Sequence, residues 1–288
     1  MQKNYKNNRA LAVEILRGKW LLHNPDAALP AARDFLLRVS SANTLQESKP
    51  ATRMASAQGS VFDLGDGSIP EGQQRVLIVP LHGVLTKYDN CIGCATMEVA
   101  DILAQFRDDE SVAGFILDID SPGGSANAVM PVIEEIKKIQ AAGKPIIAHT
   151  DLCCSAAYWI ASQCDVIYAD NELSEAGSIG AYCELIDDRE NKQTGEKHIS
   201  IYAPQSTDKN KPYRDALDGK EETLQAELSE LVTVFQQQVK AGRPDLDAEA
   251  EGVLSGKVFY APKAVELGLV NAISGLDECI EIIFSQIG

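Results

Sequence analysis

The sequence lacks several features that would place it at once in a common class. No apolar run approaches the roughly 20 residues that cross a bilayer, and the basic N-terminus is not followed by the apolar stretch of a secretory signal. Positive charge is also scarce, because 26 Lys and Arg stand against 42 Asp and Glu, a net charge of -16. Nucleic acids and anionic membranes select basic surfaces. The sequence therefore predicts a cytoplasmic protein without a membrane span and without a nucleic-acid partner.

Signatures of metal sites and disulfides are sparse as well. The seven cysteines are an odd number, which in a chain without a predicted signal indicates free thiols. Cys91 and Cys94 form a CxxC pair, but neither a second such pair nor a nearby pair of histidines completes a zinc site. The sequence predicts neither a metal nor an organic cofactor.

Composition divides the 288 residues into three parts. Residues 8–40 have helical periodicity, and residues 41–73 are rich in Ser, Ala, Gly, Gln and Thr with little periodicity. We interpret these parts as an N-terminal helical extension over residues 1–45 and a linker over residues 46–73. Residues 74–288 are then the main domain, long enough to bury a substantial core.

Within that domain, short apolar strands alternate with amphipathic helices. Strands are predicted at residues 76–85, 114–120, 144–150, 165–169 and 199–203, and helices at residues 96–108, 129–142, 155–163 and 219–240. Such alternation is typical of an α/β fold with a mainly parallel sheet.

Ser155 occupies a position where a nucleophile would be useful. It follows an apolar strand and precedes the helical sequence Ala-Ala-Tyr-Trp-Ile-Ala. At such a turn the first helical amides lack intrahelical partners, so they are available to stabilise an oxyanion. The alternative is that Ser155 only caps the helix, since serine is a favoured N-cap residue.

A second glycine-rich turn, Asp-Ser-Pro-Gly-Gly-Ser at residues 120–125, also joins a predicted strand to a helix. Gly123 and Gly124 would let the backbone approach a substrate closely and direct N–H groups at it. An ordinary strand-to-helix turn is the alternative, since Pro-Gly suits one well.

These motifs occur in a recognisable order. The Asp-Ser-Pro-Gly-Gly-Ser turn is followed by Ser-Ala-Ala-Tyr-Trp-Ile-Ala, by Ala-Gly-Ser-Ile-Gly, and by Gly-Lys-Val-Phe-Tyr-Ala-Pro-Lys-Ala-Val-Glu-Leu-Gly-Leu-Val. Over residues 75–275 the chain resembles the signal peptide peptidase A family of serine peptidases. The resemblance implies a ClpP/crotonase-like superhelix of repeated β-β-α units. The N-terminal Leu-Arg-Gly-Lys-Trp-Leu-Leu-His-Asn-Pro-Asp resembles the phage and prophage branch, whose members are head-maturation or minor capsid proteases.

The same resemblance implies a Ser/Lys dyad, with Ser155 as nucleophile and Lys209 as base. Lys211 is the second choice for the base, because the alignment of this polar loop is loose. Many members of the family have Gly-Gly where this chain has Ala-Ala after the serine. The remaining implied groups are oxyanion-hole amides from Gly123, Gly124 and Ala156, and an orienting hydroxyl from Ser178.

A histidine base is the competing hypothesis. The chain has His23, His82, His149 and His198, and none lies in the Ala-Gly-Ser-Ile-Gly segment, where ClpP places its histidine. His149 precedes the Ser155 turn, so a Ser-His-Asp triad stays open. Two further alternatives are an acyl-CoA enzyme on the same fold and a non-catalytic capsid-associated protein.

The resemblance also implies the partners. They are a peptide or protein substrate and further copies of the chain in a ring-shaped homo-oligomer. A lysine acts as a base only when it is neutral, so Lys209 needs a wall that removes it from water. In compact bacterial members a neighbouring subunit completes the dyad. If the protein acts in phage head maturation, the prohead is a second expected location besides the cytoplasm.

Overall fold

The structure is a computed structural model that describes residues 20–22, 51–57, 61–64, 73–88, 93–185, 187, 189–190, 195, 197 and 199–286. The strands are β1 (Trp20–Leu22), β2 (Arg53–Ser56), β3 (Val61–Asp63), β4 (Arg75–His82), β5 (Val84–Thr86), β6 (Gly93–Ala95), β7 (Val112–Ser121), β8 (Gly123–Ser125), β9 (Ile146–Cys154), β10 (Val166–Ala169), β11 (Glu175–Gly177), β12 (Val258–Tyr260) and β13 (Ala272–Ile273). The helices are α1 (Thr96–Arg107), α2 (Val129–Ala141), α3 (Ala156–Ala161), α4 (Lys211–Leu217), α5 (Glu222–Gly242), α6 (Ala261–Glu266) and α7 (Leu276–Ser285). None of these helices is long and apolar enough to cross a bilayer.

The larger sheet is mainly parallel. Its central strands run in the order β4-β7-β9, with every neighbouring pair parallel. The first half of β9 then pairs with β10 and its second half with β11, also in parallel. Antiparallel β2, β3 and β12 extend the two sides. The α/β fold with a mainly parallel sheet, predicted from the alternation of strands and helices, is confirmed.

The two faces of this sheet are covered differently. Alternate residues of β7 enter two separate apolar clusters, because successive side chains of a strand point to opposite faces. Phe115 and Leu117 join the larger cluster with buried residues of α1, α2 and α3. Ile116 joins the smaller cluster, which α7 covers through Ile280 and Ile283.

A smaller sheet lies beside the first, in the strand order β1-β8-β5-β6. β8 follows directly on β7 and pairs in parallel with β5 and antiparallel with β1. Gly124 is required at this crossing, because a Cβ atom there would lie 2.1 Å from the carbonyl oxygen of Leu85. The glycine-rich turn predicted at residues 120–125 is therefore partly a strand.

Three differences from the predicted elements concern the flanks of the domain. Residues 20–22 form a strand within the predicted helical extension, and the predicted linker contains β2 and β3. The strand predicted at residues 199–203 is irregular, because Ile199 and Ile201 are 81% and 91% exposed and pair with no described strand. The division of the chain at residue 74 stays a prediction.

Helix α3 is held by two other parts of the chain, α5 and the segment that contains Leu269. All six of its residues are buried. The ring of Trp159 stacks on that of Phe235 at a centroid distance of 4.5 Å, and its Nε1 donates a hydrogen bond to Gln238. The Tyr158 hydroxyl donates to the carbonyl oxygen of Leu269 at 2.8 Å. The turn that precedes α3 thus rests on a rigid support.

We expect Tyr158→Phe to lower the free energy of unfolding by about 1–3 kcal/mol, because it leaves the carbonyl of Leu269 buried without a donor. Urea unfolding followed by circular dichroism measures the change. Tyr260→Phe is the matched control, since Tyr260 is 57% exposed. Equal stability of Tyr158→Phe and wild type would show that the buried hydrogen bond contributes nothing.

Candidate active site

Ser155 lies in a sharp turn between β9 and α3. Its φ is 57° and its ψ is -119°, a conformation that non-glycine residues rarely adopt and that costs of order 1–3 kcal/mol. The Ser155 N–H donates to the carbonyl oxygen of Gly177 at 2.8 Å, and its own carbonyl accepts from Trp159 N–H at 2.9 Å. The residue is 1% exposed. Its hydroxyl has no hydrogen-bond partner among the described residues, so Ser155 is not a side-chain cap of the helix.

Ser178 directly follows β11, the strand beside β9, just as Ser155 directly follows β9. Gly177 and Cys154 are register partners in the parallel pair β11–β9, so Ser178 and Ser155 are the next residues along each strand. Ser178 also has a positive φ, of 56°, and its N–H donates to the carbonyl oxygen of Lys257. The structure therefore brings together the two serines that the sequence analysis selected.

The glycine-rich strand β8 is the third part of the site, and α3 packs against it. The N–H of Gly123 donates to Ser121 Oγ at 3.1 Å, and that hydroxyl donates to the carbonyl of Gly83 at 2.6 Å. Gly123 is thus already engaged as a donor. The other two predicted oxyanion-hole residues are Gly124, the middle residue of β8, and Ala156, the first residue of α3.

Lys209 forms no hydrogen bond with these groups. It is exposed, in a series of turns that ends at α4, and its ammonium has no hydrogen bond or ion pair within the described part of the chain. Lys211, the second choice, is the first residue of α4 and forms an ion pair with Asp215. Within one chain, neither lysine forms a hydrogen bond with Ser155.

The turns that carry Lys209 are nevertheless ordered by specific contacts. The guanidinium of Arg214 stacks over the Tyr202 ring at 4.5 Å and donates to the carbonyl of Thr207 at 2.6 Å. Asn210 has a φ of 54°, which asparagine tolerates better than most residues. Arg214 of α4 thus anchors the turns that carry Lys209.

The ring of His149 lies between two carboxylates. Its Nδ1 lies 3.6 Å from Asp118 and its Nε2 lies 3.2 Å from Asp170. Both ring nitrogens are thus next to carboxylates, which argues against the Ser-His-Asp alternative with His149 as base. His23 and His198 lie outside the described residues.

Asp118 is the centre of a half-buried charge cluster on the face that α7 partly covers. Arg53 donates to its carboxylate at 2.8 Å, and His82 Nε2 lies 3.4 Å away. Burial alone would raise the pKa of Asp118, but His149, His82 and Arg53 together hold it well below its usual range. The same carboxylate raises the pKa of His82. Sequence reasoning did not find this cluster, because its members come from different strands that are distant in the chain.

The cysteines offer no competing nucleophile in the core. Burial raises the pKa of Cys153, Cys154 and Cys164 well above that of an ordinary thiol, so these residues stay protonated. Cys91 lies outside the described residues, so the CxxC pair is not described as a whole. No group of His, Cys, Asp and Glu among the described residues is arranged to hold a metal ion.

Comparison with known proteins decides the family. The profile of peptidase family S49 matches residues 138–285, which is just over half of the chain and includes Ser155, Ser178 and Lys209. The chain belongs to peptidase family S49. This membership confirms the resemblance on which the site residues were predicted, and it favours a peptidase over an acyl-CoA enzyme.

Similar proteins of the family come from bacteria, archaea and phages. Protease 4 of Haemophilus influenzae is 29% identical over 185 residues, which are 63% of this chain and 30% of that protein. A putative protease of Methanocaldococcus jannaschii is 26% identical over 63% of this chain and 58% of its own length. The head-tail preconnector protein GP5 of Enterobacteria phage P21 is 27% identical over 70% of this chain and 38% of its own length. The chain thus spans between 30% and 58% of the length of these relatives.

Solved structures with a similar arrangement are more distant. A mutant of the 1510-N membrane-bound stomatin-specific protease has 17% sequence identity and a TM-score of 0.36, covering 70% of this chain and 81% of its own. An enoyl-CoA hydratase from Shewanella pealeana has 13% sequence identity and a TM-score of 0.45. The match covers 76% of this chain and 72% of the hydratase chain.

We expect Asp118→Asn to lower the free energy of unfolding at pH 7 by about 1–3 kcal/mol, because His82, His149 and Arg53 lose their carboxylate. Folding lowers the pKa of Asp118, so its stabilisation is present above the unfolded value of about 3.9 and is lost as the pH falls towards the folded value. The difference between variant and wild type should therefore shrink below about pH 4.

Urea unfolding at several pH values measures this difference. Asp120→Asn, two residues further along the same strand and exposed, is the control and should change stability little. A loss for Asp118→Asn that does not depend on pH would contradict the electrostatic explanation.

Proposed function

We propose that this chain is a serine endopeptidase that cleaves peptide bonds through an acyl-enzyme. The observation that carries the proposal is Ser155, a buried serine at a strained turn within the part of the chain that matches family S49, whose hydroxyl has no hydrogen-bond partner among the described residues. A reactive hydroxyl held at such a turn beside backbone amides is the arrangement that serine nucleophiles use.

The proposed reaction needs a base, an oxyanion hole and a water molecule. Ser155 Oγ attacks the carbonyl carbon of the scissile bond while Lys209 accepts its proton. The amides of Gly124 and Ala156 stabilise the oxyanion, with Gly123 as a further donor once its bond to Ser121 opens. The protonated lysine then gives its proton to the leaving amine, and water hydrolyses the acyl-enzyme. Ser178 orients the lysine, as its position beside Ser155 allows.

We propose that a second copy of the chain supplies the lysine. Lys209 is exposed and without partners within the described residues, whereas Ser155 is buried. Next to the turns that carry Lys209, the side chains of Ile199 and Ile201 are 81% and 91% exposed. Adjacent exposed apolar side chains mark interaction surfaces. A ring in which this surface covers a neighbour's Ser155 would bury the lysine and make every site equivalent.

The biological role is the least specific part of the proposal. The similarity to a head-tail preconnector protein of phage P21 supports a role in phage head maturation, with capsid or scaffold proteins as substrates in the cytoplasm or the prohead. Residues 74–288 would form the peptidase domain, and residues 1–45 an extension joined to it by residues 46–73.

A fluorophosphonate probe should label wild-type protein at Ser155, because an activated serine attacks phosphorus as it attacks a carbonyl carbon. Mass spectrometry of tryptic peptides locates the adduct. Ser155→Ala should abolish labelling, whereas Ser162→Ala, which changes a buried serine at the other end of α3, should leave it. An adduct on Ser121, Ser125 or Ser178 would contradict the assignment of the nucleophile.

Lys209→Ala should lower kcat by about 10²- to 10⁴-fold, the usual contribution of a general base. Lys211→Ala is the matched control and should keep most of the activity, because Lys211 is engaged with Asp215. Initial rates with a fluorogenic peptide measure both.

The reverse result, an active Lys209→Ala and an inactive Lys211→Ala, would transfer the role of base to Lys211. Full activity of both variants, with an acid-side inflection near about pH 6.5, would instead indicate a histidine base.

A further inference from the structure

The outer edge of β8 is occupied by the chain itself. β8 has two neighbours, β5 on one side and β1 on the other. β1 runs antiparallel to it, with Leu21 opposite Gly124 and Leu22 opposite Gly123. All three residues of β8 are buried as a result of these neighbours.

This edge is also where an extended substrate would bind. Gly124 is a proposed oxyanion donor, and β8 packs against α3, which begins directly after Ser155. Proteins that bind extended peptides commonly add them as a further strand at a sheet edge through main-chain hydrogen bonds. An edge with β5 on its other side has room for one such strand, so β1 and a substrate would compete for it.

We propose that Trp20–Leu22 is an internal competitor that occupies the substrate edge of β8 and must leave before a peptide can bind. This inference rests on the proposed peptidase function. Because the segment is part of the same chain, its effective concentration at the edge of β8 is high. It can therefore compete with substrate without the help of a second molecule. Because it pairs over three residues, it can be displaced by a substrate that pairs over more.

An internal competitor has a definite kinetic signature. It lowers the fraction of molecules with a free edge and therefore raises the apparent KM, while kcat at saturating substrate is unchanged. If the edge is free about a tenth of the time, removing the competitor lowers KM roughly ten-fold.

The test uses Leu21→Pro combined with Leu22→Pro in the full chain. In an antiparallel pair every second residue directs its N–H group at the partner strand. Two adjacent prolines therefore remove one hydrogen-bond donor to β8, whichever of the two residues donates. Ala27→Pro combined with Ala28→Pro places two adjacent prolines outside the paired strand and is the control. The proline pair at 21 and 22 should lower KM for a fluorogenic peptide with kcat unchanged, and the control pair should change neither.

A second measurement does not depend on activity. In a Ser155→Ala background, hydrogen exchange of the peptide that contains Gly123–Ser125 should accelerate with the proline pair at 21 and 22 and not with the control pair. The proposal that β1 is an internal competitor would be overturned if the proline pair at 21 and 22 left the exchange of Gly123–Ser125 unchanged. It would also be overturned if exchange became faster while KM stayed the same. If no variant cleaves peptides and Ser155 resists the probe, the proposed function fails, and exchange alone then decides whether β1 occupies the edge.

Discussion

At the end of β9 the chain turns through a positive φ at Ser155, and a backbone hydrogen bond to Gly177 holds that turn against β11. The long parallel pairing of β9 with β7 fixes where the turn occurs. Buried α3 prevents the turn from relaxing, since Tyr158 and Trp159 are each tied to distant parts of the chain. The strained conformation persists because the strand pairing, the hydrogen bond to Gly177 and the buried helix α3 all hold the turn in place.

The parts of the site that the sequence predicted are those that depend on local chain geometry. The strand before Ser155, the helix after it and the turn between them follow from an apolar run, a set of small residues and a helical pattern. Ser178 could be selected only through the resemblance to a family, since its proximity to Ser155 arises from the parallel pairing of β9 and β11. Pairing partners far apart in sequence are not visible in any local pattern.

Other features could not be predicted for the same reason. The cluster around Asp118 joins residues from four strands with Asp170, the residue after β10, and its members acquire a common environment only when the sheet forms. The helical periodicity of residues 8–40 predicts a helix at residues 20–22, and only the pairing with β8 makes this segment a strand. Ile199 and Ile201 alternate like a strand, but without a described partner strand they remain irregular.

Ser155 is buried whereas Lys209 is exposed, and the proposed dyad therefore forms between two copies of the chain. Ser155→Ala and Lys209→Ala proteins, each inactive, should be unfolded together and refolded as a mixture. Random mixing should restore roughly a quarter of wild-type activity, because each site needs an intact serine on one subunit and an intact lysine on its neighbour. No recovery in a verified mixed oligomer would contradict the claim.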